Sequence, residues 1–166
     1  MSYGLFFGLC GIASFLLFYF TGANMQSSWP NYVTYILLVM FIVMGIKSFR
    51  DETLGGFISY GKSLGTGVLI SVFGGIIVGA FTALFFIYIA PEMTEKIIQA
   101  AQQDMVEKGM SEDQIEMTGN MTRKFMTPMW LFFFSILGNA FMGLIFSLII
   151  SIFMKKEQNP FSSNIG

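Results

Sequence analysis

The sequence contains no histidine and only one cysteine, Cys10. Histidine is the commonest general base near neutral pH and the commonest metal ligand, so its absence removes the usual basis for acid–base catalysis and for a metal site. One cysteine within an apolar run provides neither a disulfide framework nor a thiolate metal site. We therefore predict no catalytic residue, no metal ligand and no cofactor-binding residue.

Charge is also scarce. Charged residues make up 11% of the chain and hydrophobic residues 54%, whereas a soluble domain has about 25% charged residues. The formal net charge of −1 argues against nucleic acid as a partner, because nucleic-acid binding requires a basic face. The composition predicts an integral membrane protein whose main partner is the lipid bilayer.

Four apolar runs are long enough to cross a membrane, at residues 3–22, 32–49, 64–90 and 129–154. The third run carries no charge and would be roughly 40 Å long as a helix, against a hydrocarbon core of about 30 Å. Between the third and fourth runs, residues 92–127 hold eleven of the nineteen charged residues and cannot lie in hydrocarbon. The predicted fold is one all-α membrane domain, 1–166, with four transmembrane helices and an extramembrane, amphipathic helical hairpin in this insert.

Turn and capping residues mark the ends of the predicted hairpin helices. Gly109 is a plausible helix stop, and Ser111 with Gln114 fits a capping box. Thr127 followed by Pro128 is a typical start for the last helix.

Two stripes of small or polar residues recur at four-residue spacing. Small side chains let membrane helices approach closely, and polar side chains between helices act as hydrogen-bonding contacts. We therefore predict that the two stripes face each other. The first, in the third run, consists of Gly67, Ser71, Gly75, Gly79 and Ala83, and the second, in the fourth, of Asn139, Gly143, Ser147 and Ser151. Gly4, Gly8 and Gly11 offer a second close-packing face in the first run.

The distribution of Lys and Arg predicts the orientation. Five basic residues crowd into short segments at one end of the predicted bundle, and four lie in the insert, which has a local charge of −3 because it contains seven acidic residues. This weak bias places both termini and the 50–56 turn in the cytoplasm.

Residues 56–63, GFISYGKS, match the phosphate-loop pattern G-x-x-x-x-G-K-[ST] letter for letter. That motif works between a buried strand and a helix, but here an apolar helix and a charged turn precede it. We expect no nucleotide.

A series of methionines in and after the insert could ligate Cu(I), but without histidine or a nearby cysteine they are better explained as adaptable packing residues. They are Met105, Met110, Met117, Met121, Met126 and Met129.

The segments GIKSFRD at 45–51 and GGFISYGKSL at 55–64 resemble the signature of the bacterial domain-of-unknown-function family 4199. The resemblance covers most of the chain, including the last run that ends in Lys155 and Lys156. It implies a small integral protein of the bacterial inner membrane, in a family without an assigned activity. It brings no functional residues, and it suggests that the phosphate-loop match is a feature of the family's loop.

Two functions from different classes remain open. The absence of mid-run charges and of any catalytic pair favours a non-enzymatic membrane protein, either structural or a partner-binding accessory. The polar stripe headed by Asn139 favours a small oligomeric transport or channel protein instead. Under either reading the protein partner would be a second copy of the chain or another membrane protein.

Overall fold

The computed structural model describes residues 2–21 and 29–156 and is all-α, as predicted. Two π-helical turns, Phe49–Thr53 and Phe85–Ile89, extend the second and third helices. The helices are α1 (Ser2–Phe20), α2 (Trp29–Ser48), α3 (Tyr60–Leu84), α4 (Glu92–Glu107), α5 (Glu112–Phe125) and α6 (Pro128–Met154).

Four helical segments are long and apolar enough to cross a membrane: Ser2–Phe20, Trp29–Thr53, Tyr60–Ile89 and Pro128–Met154. They correspond to the four apolar runs of the sequence. The third helix begins at Tyr60, four residues before the start of the predicted span at residue 64. Residues 60–63 form its first helical turn. Most of the segment between the first two apolar runs, and the residues after 156, lie outside the described residues.

The chain packs as two compact units. The first contains the described residues up to Val78 together with those from Ile136 onward, and α3 is its central helix. Gly4 and Gly8 of α1 lie against Ile70, Phe73 and Ile77 of α3, so this predicted glycine face is where the two helices meet. A buried cluster lies beside it and consists of Phe7, Leu38, Phe41, Ile42, Ile46, Ile58 and Ile70.

The second unit, Gly79–Ser135, contains α4 and α5, which contact each other. The Arg123 guanidinium donates to the Glu95 carboxylate at 3.0 Å, and Gly119 lies against the side chain of Gln102. Gly109 has a φ of +72°, the conformation that ends a helix at glycine. Ser111 and Gln114 form the capping box that the sequence predicts.

Candidate functional site

Small residues of α3 and α6 interlock along one line in the first unit. A methyl group at Gly67 would overlap the Ser147 side chain, and one at Gly143 would overlap the side chain of Ser71. Each glycine thus receives a serine from the opposite helix. We call this surface the serine–glycine seam; it comprises Ser63, Gly67 and Ser71 of α3 with Gly143, Ser147 and Ser151 of α6.

These two glycine–serine pairs fix the antiparallel register of the seam. Gly67 of α3 lies opposite Ser147 of α6. Four residues later in α3, Ser71 lies opposite Gly143, which is four residues earlier in α6. Continued once more in each direction, the same step predicts that Gly75 lies opposite Asn139 and Ser63 opposite Ser151. Four-residue spacing keeps all these positions on one helix face.

Solvent does not reach the serines of the seam. Ser63, Ser71, Ser147 and Ser151 are all 0% exposed. The Ser71 hydroxyl donates to the Gly67 carbonyl at 2.9 Å, which is the usual way for a helical serine to satisfy its hydrogen bond. Over the described residues, the hydroxyls of the other three have no hydrogen-bond partner. The seam is therefore a closed packing surface at these positions.

The remaining residues of the two stripes have different surroundings. Gly75 is buried, whereas Ala83 and Asn139 are half-buried. In the second unit, a methyl group at Gly79 would lie 3.0 Å from Ser135 Cβ and 3.1 Å from the Phe132 carbonyl oxygen. Gly79 thus marks another close approach between the ends of α3 and α6 that belong to that unit.

Two further serines extend the predicted stripes, Ser63 in the first and Ser135 in the second. A signal for both was present in the sequence, because Ser63 precedes Gly67 by four residues and Ser135 precedes Asn139 by four. Ser63 also lies within the phosphate-loop match and Ser135 within a phenylalanine-rich segment, and these neighbouring residues obscure the four-residue periodicity at its ends.

The loop between α2 and α3 is fastened to the end of α6. The backbones of Ile58 and Lys156 exchange two hydrogen bonds, each of 2.9 Å, and the Lys156 ammonium lies 5.6 Å from the centre of the Phe57 ring. Gly55 and Gly56 have φ angles of +64° and +89°, which glycine adopts at little cost. We call residues 49–59 together with Lys156 the loop clasp.

The phosphate-loop match has helical geometry in its last residues. Gly61, Lys62 and Ser63 belong to the first turn of α3, and the Ser63 side chain, which would have to reach a bound metal ion in a phosphate loop, is fully buried. In the described part of the chain, the single β-bridge at Ile58 is the only strand-like pairing next to this segment.

Metal-binding groups are dispersed. Among the described residues, no three side chains of the His, Cys, Asp and Glu types come together as a metal site. Met117 and Met121 of α5 are exposed and line a shallow depression of about 410 Å³ with Asp113, Glu116 and Lys124. These thioethers lie beside charged groups on an open surface.

These features define a class: an all-helical protein with four helices long enough to cross a membrane and a close-packed seam of small residues. The family described as Protein of unknown function (DUF4199) matches residues 2–156, and the chain belongs to that family. The resemblance to this family that residues 45–51 and 55–64 carry is thereby confirmed. No significant match was found among curated proteins or among solved structures.

Proposed function

We propose that this chain is a multi-pass integral protein of the bacterial inner membrane and that it is non-enzymatic, acting as a structural or partner-binding accessory. Its outer surface supports membrane insertion. Large apolar side chains on the candidate spans are exposed, among them Phe20 at 78%, Leu137 at 65% and Phe153 at 82%. Apolar exposure on this scale matches a lipid environment, while small and polar residues lie inside.

The closed serine–glycine seam is the observation that carries the non-transport proposal. A polar path along α6 would require its serines to face a cavity, yet Ser147 and Ser151 are 0% exposed, and Ser147 lies against Gly67 of α3. Asn139, higher on the same stripe, is half-buried. This partial exposure is the one observation that favours the alternative, a small oligomeric channel or transporter in which several Asn139 side chains would meet.

The dispersed acidic residues and the buried Ser63 hydroxyl support the absence of an enzymatic site and of a nucleotide. Glu95 is engaged with Arg123, and Asp104 with Lys108, on exposed helix surfaces. Such pairs are ordinary solvated contacts and add little stability.

The α4–α5 segment is the part we propose to lie outside the membrane, as a helical hairpin. It carries most of the charge of the chain, and Val106 and Met117 are exposed at 59% and 65% beside those charges. Flexible methionines on a charged surface are suited to contact with a protein partner. The basic residues near the loop clasp support cytoplasmic termini, which would place this hairpin on the opposite side.

Reporter fusions test the topology. A fusion within the α4–α5 segment, at Gly109, is expected to report an extracytoplasmic location, and a fusion after Lys156 a cytoplasmic one. A cytoplasmic signal from Gly109 would overturn the proposed arrangement. Crosslinking with mass spectrometry in native membranes would then identify a protein partner.

Ion and solute flux into proteoliposomes separates the two functions. We expect no flux above that of empty vesicles. A flux that disappears in Asn139→Leu and persists in Asn120→Leu, a matched change on the exposed face of α5, would replace our proposal with the channel alternative.

A further inference from the structure

A groove of about 600 Å³ opens between α1, α2 and α3 in the first unit. This volume lies within the range of about 300–1,000 Å³ found for small-molecule sites. The α1 residues that line it include Phe6 and Cys10, which lie on one helix face at four-residue spacing. Phe6 is 52% exposed, so the groove is accessible from the surface of the protein and is not an internal void.

The groove changes from polar to apolar along its length. Ser48, Glu52 and Thr53, at the end of α2, line one end. Phe41 lies farther back along the same helix and Cys10 farther along α1, and both are part of the lining. The distance from Ser2 to Cys10 along a helix is roughly 12 Å, which is close to the thickness of one leaflet's hydrocarbon layer, about 15 Å.

Glu52 supplies the charge at the polar end. Its carboxylate accepts a hydrogen bond from the Ser48 hydroxyl at 2.9 Å, and within the described residues it forms no ion pair. Arg50, two residues earlier in the chain, donates to the Asp51 carboxylate at 2.7 Å. A ligand that fits this groove therefore needs an apolar chain and, at its polar end, a cation.

We propose that the groove binds a phospholipid whose headgroup carries a primary ammonium, phosphatidylethanolamine, with the ammonium at Glu52 and an acyl chain alongside Phe6 and Cys10. This inference rests on the proposed membrane insertion. A primary ammonium donates hydrogen bonds to a carboxylate, whereas the trimethylated ammonium of phosphatidylcholine has no N–H to donate. An anionic headgroup would be repelled by Glu52.

Native mass spectrometry of the full-length protein, supplied with lipids of identical acyl chains, tests the site. Because Glu52 is exposed, its contribution should be that of a surface ion pair, and we expect about a two- to fivefold preference for phosphatidylethanolamine over phosphatidylcholine. Glu52→Gln should bring the preference to parity. Glu107→Gln, an exposed carboxamide change on α4, should leave the preference unchanged.

Filling the apolar part of the groove provides a second, independent measurement. Cys10→Phe adds a ring inside the groove and should reduce the retention of both lipids, whereas Leu9→Phe adds a ring at a neighbouring exposed position and should not. If Cys10→Phe fails to fold, Cys10→Leu makes the same test with less volume. Equal binding of the two lipids to the unmodified protein, or retention unaffected by filling, would overturn the inference.

Carbonate extraction of membranes separates this inference from the function on which it rests. Protein that stays in the membrane pellet but shows no headgroup preference refutes the lipid site alone. Protein released by carbonate refutes membrane insertion itself, and with it both proposals.

Discussion

Gly67→Ala is the most direct perturbation of the serine–glycine seam. The added methyl group would overlap the Ser147 side chain and lie 3.0 Å from Ile42 Cγ2, so α6 or α2 must move away from α3. Overpacking of this kind costs about 1–3 kcal/mol. Alanine also has a higher helix propensity than glycine, by up to about 1 kcal/mol, and this gain must be removed before the packing cost can be seen.

Gly65→Ala, on the same helix, is the control for the gain in helix propensity. A methyl group at Gly65 would meet no atom within 4 Å, so this variant receives the propensity gain without the overlap. The free energy of unfolding should therefore be about 1–3 kcal/mol lower for Gly67→Ala than for Gly65→Ala. Reversible unfolding of the purified protein in mixed detergent micelles measures both values under one condition.

A compensating substitution shows whether Ser147 causes the loss. Ser147→Gly removes the Oγ and Cβ atoms that the new methyl group would overlap, so the double variant should recover much of the stability. The Ile42 contact remains, and recovery should be incomplete. Residues in contact typically show coupling of about 0.5–3 kcal/mol. A difference between the two alanine variants below about 0.5 kcal/mol, or no coupling with Ser147→Gly, would refute the described seam.

Three further substitutions test other close approaches and the loop clasp. Gly75→Leu should lower the thermal unfolding temperature in detergent more than Val72→Leu, because Gly75 is buried and Val72 is half-buried; equal temperatures would contradict the register. Gly119→Ala should be neutral or stabilise by up to about 1 kcal/mol, since the methyl group would meet only the flexible end of Gln102, and faster hydrogen exchange in α5 would contradict this. Gly55→Ala should lower the free energy of unfolding by about 1–2 kcal/mol, because its φ is +64° although its surroundings are open; an unchanged value in the same micelles would show that the turn rearranges freely.

Helix positions could be predicted from the sequence because in this chain hydrophobicity and helix boundaries coincide. Apolar runs of this length have few structural options once their backbone groups must be satisfied internally. Pro128 begins α6, and Gly109 separates α4 from α5, as local backbone chemistry predicts. These are short-range signals, each contained within a few residues.

The loop clasp could not be predicted in the same way. Ile58 and Lys156 are far apart in the sequence, and their backbone pairing depends on where α6 ends relative to the start of α3. No side-chain pattern encodes that distance, since backbone hydrogen bonds carry no residue identity. The groove is likewise a property of three helices together, since Cys10 and Glu52, which both line it, are far apart in the sequence and share no pattern.

The loop clasp and the serine–glycine seam depend on each other, and this gives the family's signature segment a structural explanation. The Tyr60 hydroxyl donates to the Leu148 carbonyl at 3.3 Å, next to Ser147 of the seam, while Ile58 holds Lys156 just beyond the end of α6. These two contacts attach the start of α3 to α6 on both sides of Ser151. A one-residue slip of α6 would break the backbone pairing at Lys156 and would also turn Ser147 away from Gly67. The residues that imitate a phosphate loop therefore fix the register in which the small residues meet, which accounts for Gly56 with its positive φ, for Tyr60 and for the buried Ser63 without any bound phosphate.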